Sequence, residues 1–147
     1  VNLSDALAEV QRLFIDTAPV IYYVQGTPAY SRLTDTVFTH IGAGTIQAVA
    51  SAVTLAECLV LPYRMGNREL AESFRRVITQ GRNTLYVGVD DVVEQAAKLR
   101  ADLNLTLTDA LQVAAALGSG CDAFLTNDHG LRRVSQIPVV ILDDLTP

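Results

Sequence analysis

The chain has 147 residues, one domain of ordinary size and long enough to bury a real core. Half of its residues are hydrophobic and 18% are charged, which excludes a disordered polypeptide. Its 11 basic and 16 acidic residues leave a net charge of −5, which argues against a protein that coats nucleic acid through bulk positive charge, so any such contact must be local or carried by bound cations. Cys58 and Cys121 show neither metal-ligand nor disulfide spacing and read as buried free thiols of a reducing compartment. No cationic leader precedes an apolar run. The most apolar window, 46–63, is interrupted by Gln47, Glu57 and Pro62, so a cytoplasmic protein with no membrane span is expected.

Leu3, Leu7 and Val10 recur at helical spacing, and the pattern predicts a short leading helix over 3–11, outside the main architecture. A buried strand is expected at 12–16. Thr17 is the expected N-cap of the helix that follows, with Pro19 in the first turn, where its missing N–H costs nothing, and Gly26 at the end. A second helix starts near Pro28 and is closed by Gly42-Ala43-Gly44. That glycine pair follows a helix and precedes a strand, the reverse of a dinucleotide-binding turn, so no such site is read from it. A strand at 46–51 leads to a helix over 54–64. After the Gly66-Asn67 break, a helix covers 68–79 and a strand 84–89. Asp90-Asp91 is expected to open a helix with Val92, Ala96, Leu99 and Leu103 on its buried stripe. Thr108 is the expected cap of the next helix. A strand at 123–126, a turn or short helix over 130–134 and a strand at 138–142 complete the chain. Strands alternating with helices predict a single α/β domain over 1–147, a three-layer α/β/α sandwich around a parallel sheet of about five strands.

Four carboxylates fall at junctions in this pattern. Asp16 ends the first strand, Glu57 lies in the first turn after the second, Asp109 opens the helix behind Thr108, and Asp128 follows the fourth strand. Ligands of open α/β sheets bind outside the carboxyl ends of the strands, where these junctions share one edge. Each acid also has a purely structural explanation. Thr54-x-x-Glu57 is a capping box, Asp109 suits a helix dipole, and Asn127-Asp128 suits a turn. Asp16 has the weakest such explanation, because a carboxylate directly after an apolar strand needs a local partner. Together the four make a hard, oxygen-only donor set that favours Mg²⁺ or Mn²⁺ over Zn²⁺, and packed without metal they should repel and raise one or more pKa values.

In order and spacing, Ile15-Asp16-Thr17, Thr54-Leu55-Ala56-Glu57, Leu107-Thr108-Asp109-Ala110 and Leu125-Thr126-Asn127-Asp128 resemble the PIN domains, and most nearly the compact VapC-type toxins of toxin–antitoxin pairs. The resemblance spans nearly the whole chain after the leading helix. It implies a metal-dependent endoribonuclease that hydrolyses RNA phosphodiester bonds, with Asp16, Glu57, Asp109 and Asp128 around one or two ions. It implies Thr17 and Asn127, with Thr108 beside them, as polar neighbours of that set. It also implies a cognate antitoxin and a second copy of the chain as partners. Asp109 or Asp128 is the candidate to orient or deprotonate the attacking water, and His129 is a weaker candidate for proton donation. For RNA phosphates the candidates are Arg132 and Arg133 behind the last acid and Arg68 and Arg75 on one helix face. The equal alternative for that face is pairing with Glu69 and Glu72. Two other readings compete: a catalytically silent module of the same fold that binds RNA or protein, and a related metal-dependent DNA nuclease or phosphoesterase. A haloacid-dehalogenase-type enzyme would want a second Asp where Ala18 stands, and the lone lysine, Lys98, lies in a helix, unsuited to a response-regulator receiver.

Overall fold

A computed structural model describes all residues, Val1–Pro147. Five short parallel strands form one sheet in the order β3-β2-β1-β4-β5. They are β1 (Arg12–Ile15), β2 (Gln47–Ser51), β3 (Thr84–Val87), β4 (Ala123–Thr126) and β5 (Val139–Ile141). The chain builds outward from β1 in one direction through β2 and β3, then crosses back to lay β4 on its other side. The strand order therefore reverses between β1 and β4, the crevice at which open parallel sheets bind ligands. Register places Phe14 beside Val49 on one side and Phe124 on the other. The Phe14 and Phe124 rings stack at 4.9 Å between centroids, about 0.5–1.5 kcal/mol beyond their buried area.

Alternation along the strands separates two cores. Leu13, Ile15, Ala48, Ala50 and Leu125 face one way, onto Val20, Val37, Cys58, Phe74 and Ile78 of the helices α2 (Thr17–Gln25), α3 (Ser31–Gly42), α4 (Ala52–Met65) and α5 (Arg68–Gln80). Phe14, Val49 and Phe124 face the other way, onto α6 (Val93–Leu103) and α7 (Leu107–Gly118), where Ala110, Val113, Ala114 and Ala116 let the helix approach closely. This is the three-layer α/β/α sandwich. The fully apolar runs of β1 and β4 follow from burial on both faces.

Several boundaries depart from the sequence reading. The leading helix α1 is a single turn, Leu3–Ala6, because Leu3 and Leu7 already bury its apolar side and the chain then descends into β1. The second helix begins at Ser31, three residues after Pro28. Asp90–Val92 form a 3₁₀ turn ahead of α6, on which only Ala96 and Leu99 are buried. Residues His129–Arg133 form a second 3₁₀ turn, and Leu142–Asp144 a third at the end of β5. No helix is long and apolar enough to cross a membrane. Cys58 is buried and Cys121 half-buried, and both are free thiols.

Candidate active site

Asp16 is the first residue beyond β1, and its own carboxylate, not the hydroxyl of Thr17, caps α2. The Thr17 N–H donates to Asp16 Oδ1 at 2.8 Å. The reason is geometric: Asp16 keeps the extended backbone of the strand, φ −73° and ψ 173°, while Thr17 is already helical. Two more donors reach the same group. Thr126 Oγ1, on the last residue of the adjacent β4, donates to Oδ2 at 2.7 Å, and Gln112 Nε2, from α7 on the far layer, donates to Oδ1 at 3.3 Å. Gln112 Nε2 also donates to Thr54 Oγ1 at 2.8 Å, and its Oε1 accepts from Ser51 Oγ. Ser51, Thr54, Gln112 and Thr126 are all buried, and every buried side-chain polar atom of the chain has a partner. Asp16 itself is only 8% exposed, so a carboxylate sits at the base of the crevice with three of its roughly four acceptor positions filled from below. Burial pushes its pKa above the ordinary value, opposed by the hydrogen bonds from Thr126, Thr17 and Gln112, and the charge of Glu57 adds to the rise.

The other three acids stand around this base. Glu57 lies in the second turn of α4, not the first, because Ser51 caps that helix through the N–H groups of Val53 and Thr54. The Thr54-x-x-Glu57 capping box is therefore absent: Thr54 is interior to the helix and bonds to Gln112. Glu57 is exposed and accepts from Thr17 Oγ1 at 2.8 Å, so Thr17 links α2 to α4 across the crevice. Asp109 is the third residue of α7. Its helix is capped by Thr106, not Thr108, with the Asp109 N–H donating to Thr106 Oγ1 at 3.2 Å. Thr108 is exposed and reaches only Thr106, at 3.3 Å between hydroxyl oxygens. Burial raises the Asp109 carboxyl to about 6; Thr106 works against the rise, and the charges of Asp128 and Asp16 add to it. Asp128 is exposed and caps the 3₁₀ turn, accepting from Gly130 N–H at 2.8 Å while its own N–H donates to Thr126 Oγ1 at 3.0 Å.

Asn127 turns away from the four acids. Its Nδ2 donates to Tyr22 Oη at 3.3 Å and Asp143 Oδ1 at 3.4 Å, and its Oδ1 accepts from the Asp143 N–H at 3.0 Å. His129 is likewise engaged elsewhere. Its Nε2 lies 2.7 Å from Asp143 Oδ2 and its Nδ1 lies 3.4 Å from Arg132 Nη2, an arrangement that assigns the proton to Nε2. Arg132 forms a two-pronged ion pair with Asp144, both bonds 2.7 Å, and Arg75 pairs with Glu72 at 2.7 Å. Arg68 and Arg133 are exposed and make no ion pair. Sequence reasoning missed Gln112, Ser51 and Thr126, and also Asp143 and Asp144. The available signal was a lone glutamine in the otherwise apolar run Ala110–Leu117, which must find partners when buried.

The chain's arginine–carboxylate pairs are Arg75–Glu72 and Arg132–Asp144, and His129 meets Asp143, so none of the four crevice acids is neutralised by a basic side chain. The four share an edge and each other's field. Yet no group of three or more His, Cys, Asp or Glu side chains is gathered closely enough to hold a metal ion as it stands. The donor chemistry, oxygen-only with uncompensated negative charge and one acceptor position of Asp16 still free, fits a hard divalent cation. Burial, with Glu57 and Asp16 nearby, pushes the Cys58 thiol up to about 12.

Comparison with known proteins places the fold. No curated protein matches by sequence. Among solved structures, the chain is similar to one from VapBC2 of Rickettsia felis bound to a promoter DNA fragment, with 14% identity over 89% of this chain and 98% of that one and a TM-score of 0.68. It is similar to a chain of a toxin–antitoxin complex from Klebsiella pneumoniae, at 20% identity over 88% and 97% with a TM-score of 0.65. A third is VapC20 of Mycobacterium tuberculosis, a sarcin–ricin-loop-cleaving toxin, at 16% identity over 76% and 86% with a TM-score of 0.63. These likenesses establish the shared fold. The PIN domain family pattern matches residues 13–137, from the first residues of β1 to the turn before β5, and the chain belongs to the PIN domain family.

Proposed function

We propose that the protein is a metal-dependent endoribonuclease and the toxin of a toxin–antitoxin pair. The observation that carries the reading is the crevice itself: four carboxylates at the reversal point of the sheet, none paired with a basic side chain, with Asp16 and Asp109 both harder to ionise than ordinary acids. A fold that only needed stability would fill such a site with apolar groups or pair its charges. Family membership and the toxin chains among its structural neighbours support the same reading.

Asp16, Glu57, Asp109 and Asp128 would hold one or two Mg²⁺ or Mn²⁺ ions. Bound there, such an ion polarises a phosphate oxygen and lowers the pKa of an attacking water. Asp16 is the rigid member, fixed by Thr17, Gln112 and Thr126, while Glu57 and Asp128 are exposed and adjust around it. Asp109, half-buried and facing Asp128, is the acid proposed to orient the attacking water. His129 takes no part in proton donation in this scheme, because both ring nitrogens face Asp143 and Arg132. Of the arginines, Arg133 and Arg68 are free to meet RNA phosphates, whereas Arg132 and Arg75 would first leave Asp144 and Glu72. A cognate antitoxin and a second copy of the chain are the proposed partners, and the cytoplasm the proposed location.

Cleavage of a mixed RNA panel with Mg²⁺, Mn²⁺ or EDTA, comparing the chain with Asp16→Asn, tests the proposal. Cleavage that needs metal and disappears in the variant is expected. A chain that neither cuts RNA nor binds titrated Mn²⁺ refutes it and favours a silent binding module. Cutting of DNA in preference to RNA points to the related nuclease.

A further inference from the structure

The turn that carries Asp128 is held from outside by a carboxylate beyond the family match, in the chain's last 3₁₀ turn. Asp143 Oδ1 accepts from Tyr30 Oη at 2.7 Å and from Asn127 Nδ2 at 3.4 Å. Its Oδ2 meets His129 Nε2 at 2.7 Å, and its backbone N–H donates to Asn127 Oδ1 at 3.0 Å. Asp143 thus grips the residues on both sides of Asp128. Apart from Tyr22 Oη on Asn127, the side chains of Asn127 and His129 find their tertiary hydrogen-bond partner in Asp143; local bonds complete the turn, such as Asp128 N–H to Thr126 Oγ1. The anchor is firm, because Tyr30 stacks on Tyr22 at 4.2 Å between ring centroids and so ties Asp143 to both α2 and α3.

Such a grip has a physical task. Asp109 and Asp128 lie against each other with like charge, and Asp128 sits on an exposed turn that repulsion would push outward. We propose that Asp143 is the positioning residue for Asp128: by clasping Asn127 and His129 it keeps the Asp128 carboxylate facing Asp109 across the crevice. The role of Asp128 as a metal ligand rests on the function proposed above; the clasp itself does not.

The test uses the full-length chain with Asp143→Ala and Asp143→Asn. Amide hydrogen exchange in EDTA reads the clasp, and Mn²⁺ titration reads its consequence. In Asp143→Ala, the hydrogen-bonded amides of Asp128 and Gly130 are expected to exchange about tenfold faster, while those of β1 stay protected. Mn²⁺ affinity should fall by about tenfold or more, the usual effect of losing a group that orients a ligand. Asp143→Asn keeps an acceptor for Tyr30 and Asn127 and should fall between the two. Unchanged exchange at 128 and 130 overturns the proposal. So does faster exchange spread equally over β1, which is general destabilisation, or faster local exchange with unchanged Mn²⁺ affinity. If the parent chain binds no Mn²⁺, the proposed function fails, and exchange at 128 and 130 alone decides whether Asp143 holds Asp128.

Discussion

Replacing Asp16 by asparagine should make the metal-free protein more stable while abolishing its activity. The side chain is 8% exposed and accepts from Thr17 N–H, Gln112 Nε2 and Thr126 Oγ1. An asparagine in the same rotamer keeps its Oδ1 on the first two donors. Its Nδ2 replaces the other oxygen and donates to Thr126 Oγ1, which already accepts the Asp128 N–H and has a second lone pair. The Thr126 proton loses its acceptor, a cost of about 1 kcal/mol. Against this, the variant removes a buried charge that the fold disfavours and its repulsion with Glu57 and Asp109. Strained functional sites relieved in this way typically gain about 0.5–2 kcal/mol, so a net gain of about 1 kcal/mol is expected, or about 3 °C in Tm for a domain of this size. Urea and thermal unfolding at pH 8 in EDTA measure it. With Mn²⁺ the order should reverse, because only the parent chain gains binding energy. A variant that is less stable than the parent by 1 kcal/mol or more in EDTA, by about one lost hydrogen bond, would refute the claim that the crevice is an uncompensated acid site.

Two further outcomes follow from the same geometry. The Asp109 carboxyl lies near 6 in the folded chain against an ordinary 3.8, so the folded state holds its proton more tightly than the unfolded state. Its contribution to stability is therefore full below about pH 4 and lost as pH rises to about 6. Two pK units set an upper limit of about 3 kcal/mol, which solvent screening of a half-buried group reduces to about 1 kcal/mol. Urea titrations in EDTA between pH 4 and 7 should show that decline, and Asp109→Asn should flatten it; a parent profile already flat there would contradict the assignment. Gln112→Leu keeps the volume but strands Ser51, Thr54 and one acceptor position of Asp16, and should cost about 2–3 kcal/mol in urea unfolding. A cost below about 0.5 kcal/mol, the level of an ordinary surface change, would show that the network is not needed for stability.

The fold was legible in the sequence because hydrophobic period and glycine breaks are local signals. The runs Leu13–Ile15 and Ala123–Leu125 read as strands buried on both faces, and helices between parallel strands predict the layered α/β architecture. The position of Asp16, Glu57, Asp109 and Asp128 was legible for a related reason: the carboxyl ends of parallel strands share one edge, so residues distant along the chain fall on it without any knowledge of contacts. Caps were less legible. Thr17, Thr54 and Thr108 each lie close to a helix start, and composition alone does not separate them from Asp16, Ser51 and Thr106, which hold the backbone angles a cap needs.

What only the tertiary structure decided is which polar groups touch. Gln112 lies 96 residues from Asp16 and Asp143 lies 16 from Asn127, separations at which no periodicity speaks. Asn127 was expected beside the acids, yet it faces Asp143, because the end of β5 lies next to that of β4 and offers both a backbone N–H and a carboxylate. Arg132, read as a contact for RNA, is paired with Asp144 for the same kind of reason, since a nearby carboxylate competes with any ligand, whereas Arg75 pairs with Glu72 within its own helix, the alternative already open in the sequence. By itself the sequence determined the layers and the edge on which the four carboxylates stand. The three-dimensional packing determined that Asp16 is fixed from beneath by Thr126 and Gln112, and that no basic side chain pairs with the four acids, since side-chain reach and charge pairing depend on distances that exist only once the strands are side by side.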